Sequence, residues 1–347
     1  MSHLPRLSRR LVLAALPASI LLYSPASFAQ APDPRIAAAK AAGKVNWYTS
    51  VAPDELRKEL IEGFKKKTGL DVVVYYGGTG TVYSRLSTER RTKSYNVDVV
   101  TLGDPDLVDE LTTANALKKY RSANFASVQD AYKDKNDQWV GICFYGLTKA
   151  INTNLVKPGA APQSWAELAD PKWKGKVVIS DPAKSASGLL MLKAMVKEQG
   201  WPWVEKLLRN DPLAIAIAPG IEQVLANGER SVSTAATSFL SETMKAKGPV
   251  EAVGEVLFTS PLTASLIAEA PNPKGGELLI DYLTSKEAGD SFRKFGWFSS
   301  RGDVEGPYGF PSASKLKVKY PTVDLPLTRS QLLEQYGQIV QKAKSGS

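Results

Sequence analysis

Between residues 44 and 113 the chain alternates three times between strand-like and helix-like apolar spacing, and that alternation restricts the fold more than any other feature. Residues 44–48 read as a strand that ends at Thr49 and Ser50. Residues 53–67 read as a helix, because Leu56, Leu60, Ile61 and Phe64 fall on one face at helical spacing and Gly69 stops the run. Residues 70–76 are β-branched and aromatic, as a strand requires. Gly77, Gly78, Thr79 and Gly80 then form a turn, with a helix expected over 81–91. A third strand at 97–101 and a third helix at 105–113 complete the series. A β-α-β-α-β-α order demands a parallel, doubly wound α/β sheet, since parallel neighbours can be joined only by long crossovers.

The alternation breaks at 141–153, where two apolar runs lie nearly end to end around Tyr145 and Gly146. Such a strand pair, with no helix between its members, suits a crossing from one α/β unit to the next. A second unit comes after it. It has strands expected at 176–180, 213–216 and 231–235, helices at 188–198, 202–209, 221–226 and 239–247, and a short return strand at 250–253. Pro271, Asn272 and Pro273 open a helix running to residue 283. The segment from Gly302 onward is rich in Pro, Gly and Lys. It is expected to wrap the first unit, with a terminal helix at 330–342.

The ends and the composition exclude most chemistry. Arg6, Arg9 and Arg10 precede the apolar run LVLAALPASILL and then Ala26-Ser27-Phe28-Ala29, which is the pattern of a cleaved export signal over residues 1–29. The pair Arg9-Arg10 also suits the twin-arginine route, with an ordinary export signal as the alternative. The remaining residues 30–347 exceed what one hydrophobic core of about 250–300 residues holds, so two lobes are expected. The single histidine, His3, lies in the leader, and the single cysteine, Cys143, lies in the apolar stretch WVGICFYGL. Such a chain cannot assemble a usual zinc or copper site, an internal disulfide, or a Ser-His-Asp or Cys-His catalytic group. The formal net charge of +9 is spread along the sequence rather than clustered, which argues against nucleic acid and is compatible with an anionic small molecule. No catalytic residue, metal ligand or cofactor is assigned.

Three loops at strand C-termini lead into helices, where the ligand crevice of an open α/β sheet lies. They hold Ser50, then Gly78, Thr79 and Gly80, then Ser185, Ser187 and Gly188. Helix N-termini there offer free N–H groups and the positive dipole end to an anion. A nucleotide reading of the glycine turn fails, because G-x-G-x-x-G would need glycine where Tyr83 stands and no P-loop lysine comes after it. The fragments Ser312-Ala313-Ser314-Lys315 and Lys67-Thr68-Gly69 match motifs of penicillin-recognising enzymes, but in inverted order and without S-D-N.

The segments FKKKTGLDVVV, VDVVTLGDP, PQSWAELADPKWKGKVVISDP and APNPKGGELLIDYLTSKEAGDSF together resemble the extracellular solute-binding proteins of ABC importers, in the ferric-iron-like branch of the type II periplasmic fold. The resemblance implies a first lobe of 30–145 and 257–347 and a second of 146–256, with hinges at Tyr145–Gly146 and around 257–263. It implies a monomer that delivers its ligand to a membrane permease from the periplasm. Iron-binding members hold the metal with consecutive tyrosines, but Ser238 and Phe239 stand at those positions here. Ser50, Val51 and Ala52 stand where a histidine is often found. The anion-holding Ser-Gly element is kept as Ser187-Gly188. The expected ligand is therefore a small organic anion (phosphonate, phosphate ester or carboxylate), bound by Ser50, Gly78, Thr79, Gly80, Tyr145, Ser185, Ser187 and Gly188, with Thr237 and Ser238 nearby. Arg85 or Lys184 would add charge. The alternative is ferric iron in a rebuilt site using Tyr76, Tyr83, Tyr145 or Asp104 with an anion.

Overall fold

A computed structural model of the chain describes Met1 and residues 33–216, 218–320 and 325–345. The export signal expected over 1–29 lies outside the described residues apart from Met1. The elements belong to the compact unit Pro34–Ser347.

In chain order the elements are α1 (Arg35–Ala42), β1 (Val45–Thr49), α2 (Asp54–Thr68), β2 (Val72–Tyr76), α3 (Thr79–Thr92), β3 (Val99–Leu102), α4 (Pro105–Thr113), β4 (Leu117–Lys118) and β5 (Val140–Asn152). Next come β6 (Val177–Ser180), α5 (Ala186–Gln199), α6 (Trp201–Arg209), β7 (Leu213–Ile215), α7 (Ala218–Ala226), β8 (Val232–Ala236), α8 (Thr237–Lys245) and β9 (Val250–Ile267). The chain ends with α9 (Pro273–Leu283), α10 (Lys286–Lys294), β10 (Phe298–Ser299), β11 (Val318–Tyr320) and α11 (Arg329–Ser345). The strands run in the order β2-β1-β3-β9-β5-β8-β6-β7, with β10 on β5 and with β4 and β11 on β9. β2, β1 and β3 are mutually parallel, as are β8, β6 and β7. The antiparallel pair β5–β9 joins the two parallel sets.

The helices end where the sequence says they should. Gly69 takes a left-handed φ of 71° and closes α2, with Lys65, Lys66 and Lys67 in its last turn to complement the dipole. The Asn272 side chain accepts from the Gly275 amide at 2.9 Å and starts α9, with Pro273 at its first position.

Three expectations need correction. The runs around Gly141–Thr153 form one continuous strand, β5, rather than two. The expected return strand at 250–253 is the start of the 18-residue β9. Both strands are pinned along most of their length by the other, so neither has reason to stop. On the second unit's side the ladder slips between Leu147 and Lys149, where Gly254, at φ 76°, lets β9 bulge. The terminal helix α11 does not wrap the first α/β unit. Leu332 and Tyr336 are buried, and Tyr336 and Val340 join the core around Trp203, Val204 and Leu207 of α6.

The cores divide along β5. Val140, Ile142, Cys143 and Phe144 pack with Trp47, Phe64, Phe292 and Phe298. Leu147 and Ile151 pack with Trp165, Val177, Met191, Met195 and Trp203. The change falls at Tyr145 and Gly146. Burial pushes the Cys143 thiol well up, as an inert core thiol requires.

Candidate functional site

Two groups of predicted residues collect at the C-terminal ends of the two parallel strand sets. At the first, Ser50 comes directly after β1 and both its amide and hydroxyl donate to the Thr101 carbonyl at the end of β3, at 3.2 and 3.3 Å. The chain turns at Gly77 and Gly78, and α3 begins at Thr79, two residues earlier than its spacing suggests. Gly80 is therefore helical rather than part of the turn. Gly78 is the N-cap residue and no side chain caps this end. A Cβ at Gly78 or Gly80 would meet nothing within 4 Å, so the first turn of α3 faces open space. The Thr79 hydroxyl accepts from the Gly103 amide at 3.4 Å, tying α3 to the end of β3.

At the second, the Ser185 side chain caps α5 by accepting from the Gly188 amide at 3.0 Å. Its hydroxyl also lies 2.9 Å from that of Ser187, and the Ser187 hydroxyl donates to Ser180 at 3.1 Å. Gly188 has a packing reason of its own: a Cβ there would sit 2.7 Å from backbone atoms of Ser180 and Asp181. This close fit is what presents Ser185 and Ser187 at the end of β6.

Thr237 and Ser238 open α8 at the end of β8 and are buried. The Thr237 hydroxyl accepts from the Gly146 amide at 2.8 Å, so it holds β5 rather than facing the opening. The Ser238 hydroxyl is buried with no partner. Tyr145 is half-buried, edge-on to Trp297 at 5.9 Å. Burial raises its phenol, with Ser260 hydrogen-bonded to it opposing the rise and the charge of Asp104 adding to it.

The two groups meet through contacts that the sequence did not signal. Ser260 donates to the Gly103 carbonyl at 3.3 Å. Lys193 of α5 lies 3.4 Å from Asp106 of α4, and Arg329 of α11 lies 3.7 Å from Asp104. Burial raises the Asp104 carboxyl, and Asp106 adds to that rise. The crevice thus has α3, α4 and Tyr145 on one side, α5 and α8 on the other, and two cations reaching across it. Of the cations expected there, Arg85 is bonded to Glu89 at 2.8 Å and stacked on Tyr75, and Lys184 pairs with Asp181. Cavities outside it include one of about 740 Å³ between α11 and residues 208–214, one of about 600 Å³ near Glu59 and Lys294, and one of about 580 Å³ near Leu155 and Arg230.

The tyrosines considered for a rebuilt iron site are engaged apart from one another. Arg57 covers the Tyr76 ring at 3.7 Å, the Tyr83 hydroxyl donates to Glu110, and Tyr145 packs on Trp297. Among the described residues no group of three or more His, Cys, Asp or Glu is placed to hold a metal ion.

Comparison with known proteins agrees with this architecture. A periplasmic protein of Salmonella typhimurium named for 2-aminoethylphosphonate binding is 28% identical over 257 residues, covering 70% of this chain and 73% of that protein. Iron-bound HitA from Pseudomonas aeruginosa superposes with a TM-score of 0.69 at 18% identity, over 87% of this chain and 99% of that one. The periplasmic binding protein AfuA from Actinobacillus pleuropneumoniae, with fructose-6-phosphate bound, gives 0.67 at 20% identity, over 86% and 97%. At these identities the two structures establish the fold, which is that of the type II periplasmic binding proteins. The profile of the bacterial extracellular solute-binding proteins matches residues 45–298, most of the chain, and the chain belongs to that family.

Proposed function

We propose that the protein captures a small organic anion in the crevice between the ends of β1 and β3 and those of β6 and β8, and hands it to an ABC importer. The observation that carries this reading is the start of α5. There Ser185, Ser187 and the tightly packed Gly188 gather two hydroxyls and a helix N-terminus at one point. Facing it, the uncapped first turn of α3 at Gly78–Thr79–Gly80 offers a second anion-seeking end. Each helix terminus contributes about 0.3–1 kcal/mol, rising to about 2 when partly buried. Micromolar capture needs about 8 kcal/mol. Hydroxyl hydrogen bonds supply the rest, with Lys193 and Arg329 contributing where the ligand shares them with Asp106 and Asp104.

The relatives named for 2-aminoethylphosphonate and fructose-6-phosphate support a phosphonate or phosphate ester as ligand. The separate engagements of Tyr76, Tyr83 and Tyr145 argue against the iron alternative. The same proposal holds that the protein is a periplasmic monomer working with a membrane permease, without catalysis or a resident cofactor. Its two lobes meet at Tyr145–Gly146 and near 257–263, and α11 is seated on the second. Calorimetry with alkylphosphonates, sugar phosphates and dicarboxylates tests the ligand class. Binding of a neutral or purely cationic solute, with no heat from any anion, overturns it.

A further inference from the structure

A buried acid in the second α/β unit has no hydrogen-bond partner among the described residues. Glu222 on α7 is 4% exposed, and neither of its carboxyl oxygens makes a hydrogen bond. An orphaned buried polar group costs about 1–3 kcal/mol, so native proteins keep few of them without a use. The side chain approaches the N-terminus of α8, where the Ala236 amide comes near its carboxyl without making a hydrogen bond of normal geometry. The Ser238 hydroxyl, one residue into α8, is likewise buried and unpaired. These are two independent orphans at one helix start, and that start has no side-chain cap.

The sheet brings this point close to the anion loop. β6 and β8 are parallel neighbours with Val178 beside Ser233, so the ladder continues with Ser180 level with Ala235. Neighbouring strands lie about 4.8 Å apart. Ser180 is the residue to which the Ser187 hydroxyl donates. The acid and the anion loop therefore stand at the ends of adjacent strands.

We propose that Glu222 receives an ammonium group, so that the ligand is a short zwitterion: an anionic head at Ser185, Ser187 and Gly188, and an amine at Glu222 and the Ser238 hydroxyl. This rests on the proposed anion site and narrows its ligand. An ammonium carries three donors and no acceptor, which matches three acceptor oxygens that lack partners. Among the described residues no protein cation is placed against the acid. β6, β7 and β8 carry no charged residue, Glu242 and Lys245 of α8 are exposed, and Lys149 of β5 is held over Trp165. Burial holds the empty carboxyl neutral near pH 7, raised to about 8. Arrival of the ammonium ionises it, and the proton leaves to solvent.

The test is calorimetry at pH 7, in buffers of different ionisation enthalpy, with two matched pairs: 2-aminoethylphosphonate against ethylphosphonate, and β-alanine against propionate. The amine-bearing member of at least one pair should bind about ten- to a hundredfold more tightly, as a charged hydrogen bond implies. It should also release close to one proton more from the wild type than from Glu222→Gln, and the variant should lose the preference. Equal affinity within each pair that binds overturns the zwitterion and leaves the anion site standing. A preference that survives in Glu222→Gln overturns the role of Glu222. No binding by any of the four compounds overturns the zwitterion, and a failure of sugar phosphates and dicarboxylates as well overturns the anion site too.

Discussion

The Glu222 carboxyl also predicts how stability depends on pH in the absence of ligand. It ionises at about 8 in the folded chain, against an ordinary 4.5, because burial penalises its charged form. The folded state therefore holds the proton more tightly than the unfolded state. That contribution is complete below about pH 4.5 and is lost as pH rises through about 8. With one pKa unit worth about 1.36 kcal/mol, integration from pH 5 to pH 8 gives a loss of about 3 kcal/mol. Glu222→Gln keeps the shape and cannot ionise, so its stability should lack this dependence. Asp98, Asp104 and Asp109 also titrate upward through burial, but both proteins carry them, and the difference between wild type and variant isolates Glu222. Urea unfolding of both proteins at pH 5, 6, 7 and 8 is the assay. The variant should gain on the wild type by about 3 kcal/mol across that range. Parallel curves would refute the burial of Glu222 and, with it, its role toward an ammonium.

Gly188→Ala places a methyl carbon 2.7 Å from backbone atoms of Ser180 and Asp181; it should cost about 1–3 kcal/mol in thermal unfolding and weaken anion binding as α5 shifts. Gly80→Ala meets open space and should leave stability unchanged or slightly improved, with any loss confined to calorimetric affinity. Ser187→Glu sets a fixed negative charge at the start of α5 and should abolish ligand-induced compaction in X-ray scattering while the far-ultraviolet circular dichroism stays native; full compaction in this variant would contradict the anion site. Cys143 is wholly buried with its thiol pushed up, so it should resist a thiol reagent until the chain unfolds; rapid labelling of the native protein would refute its core placement.

Most of the elements were legible because they depend on nearby residues. α4 runs over Pro105–Thr113, as its proline and apolar spacing indicate, and α9 begins where Asn272 and Pro273 can cap it. The Ser185–Gly188 loop, proposed as the anion site, was legible for the same reason, since Ser185 caps a helix through its own near neighbours. The spacing puts the start of α3 two residues late because glycine propensity argues for a turn at Gly80, whereas an N-terminal helical position tolerates it. The family pattern points to Thr237 and Ser238 by position, but their burial against Gly146 and Gly296 is tertiary. Glu222 left only a faint trace: an acid between Ile221 and Leu225, both fully buried, on a short helix.

The sequence by itself determined the parallel α/β order and pointed to the strand ends proposed for a ligand site, because each depends on local spacing. Only the tertiary structure decided that β5 and β9 run unbroken, that α11 sits on α6, that Lys193 and Arg329 reach Asp106 and Asp104, and that Glu222 is buried without a partner. Those outcomes depend on which distant surfaces come together, and the cost of burying a charge or leaving a donor unpaired exists only once they have.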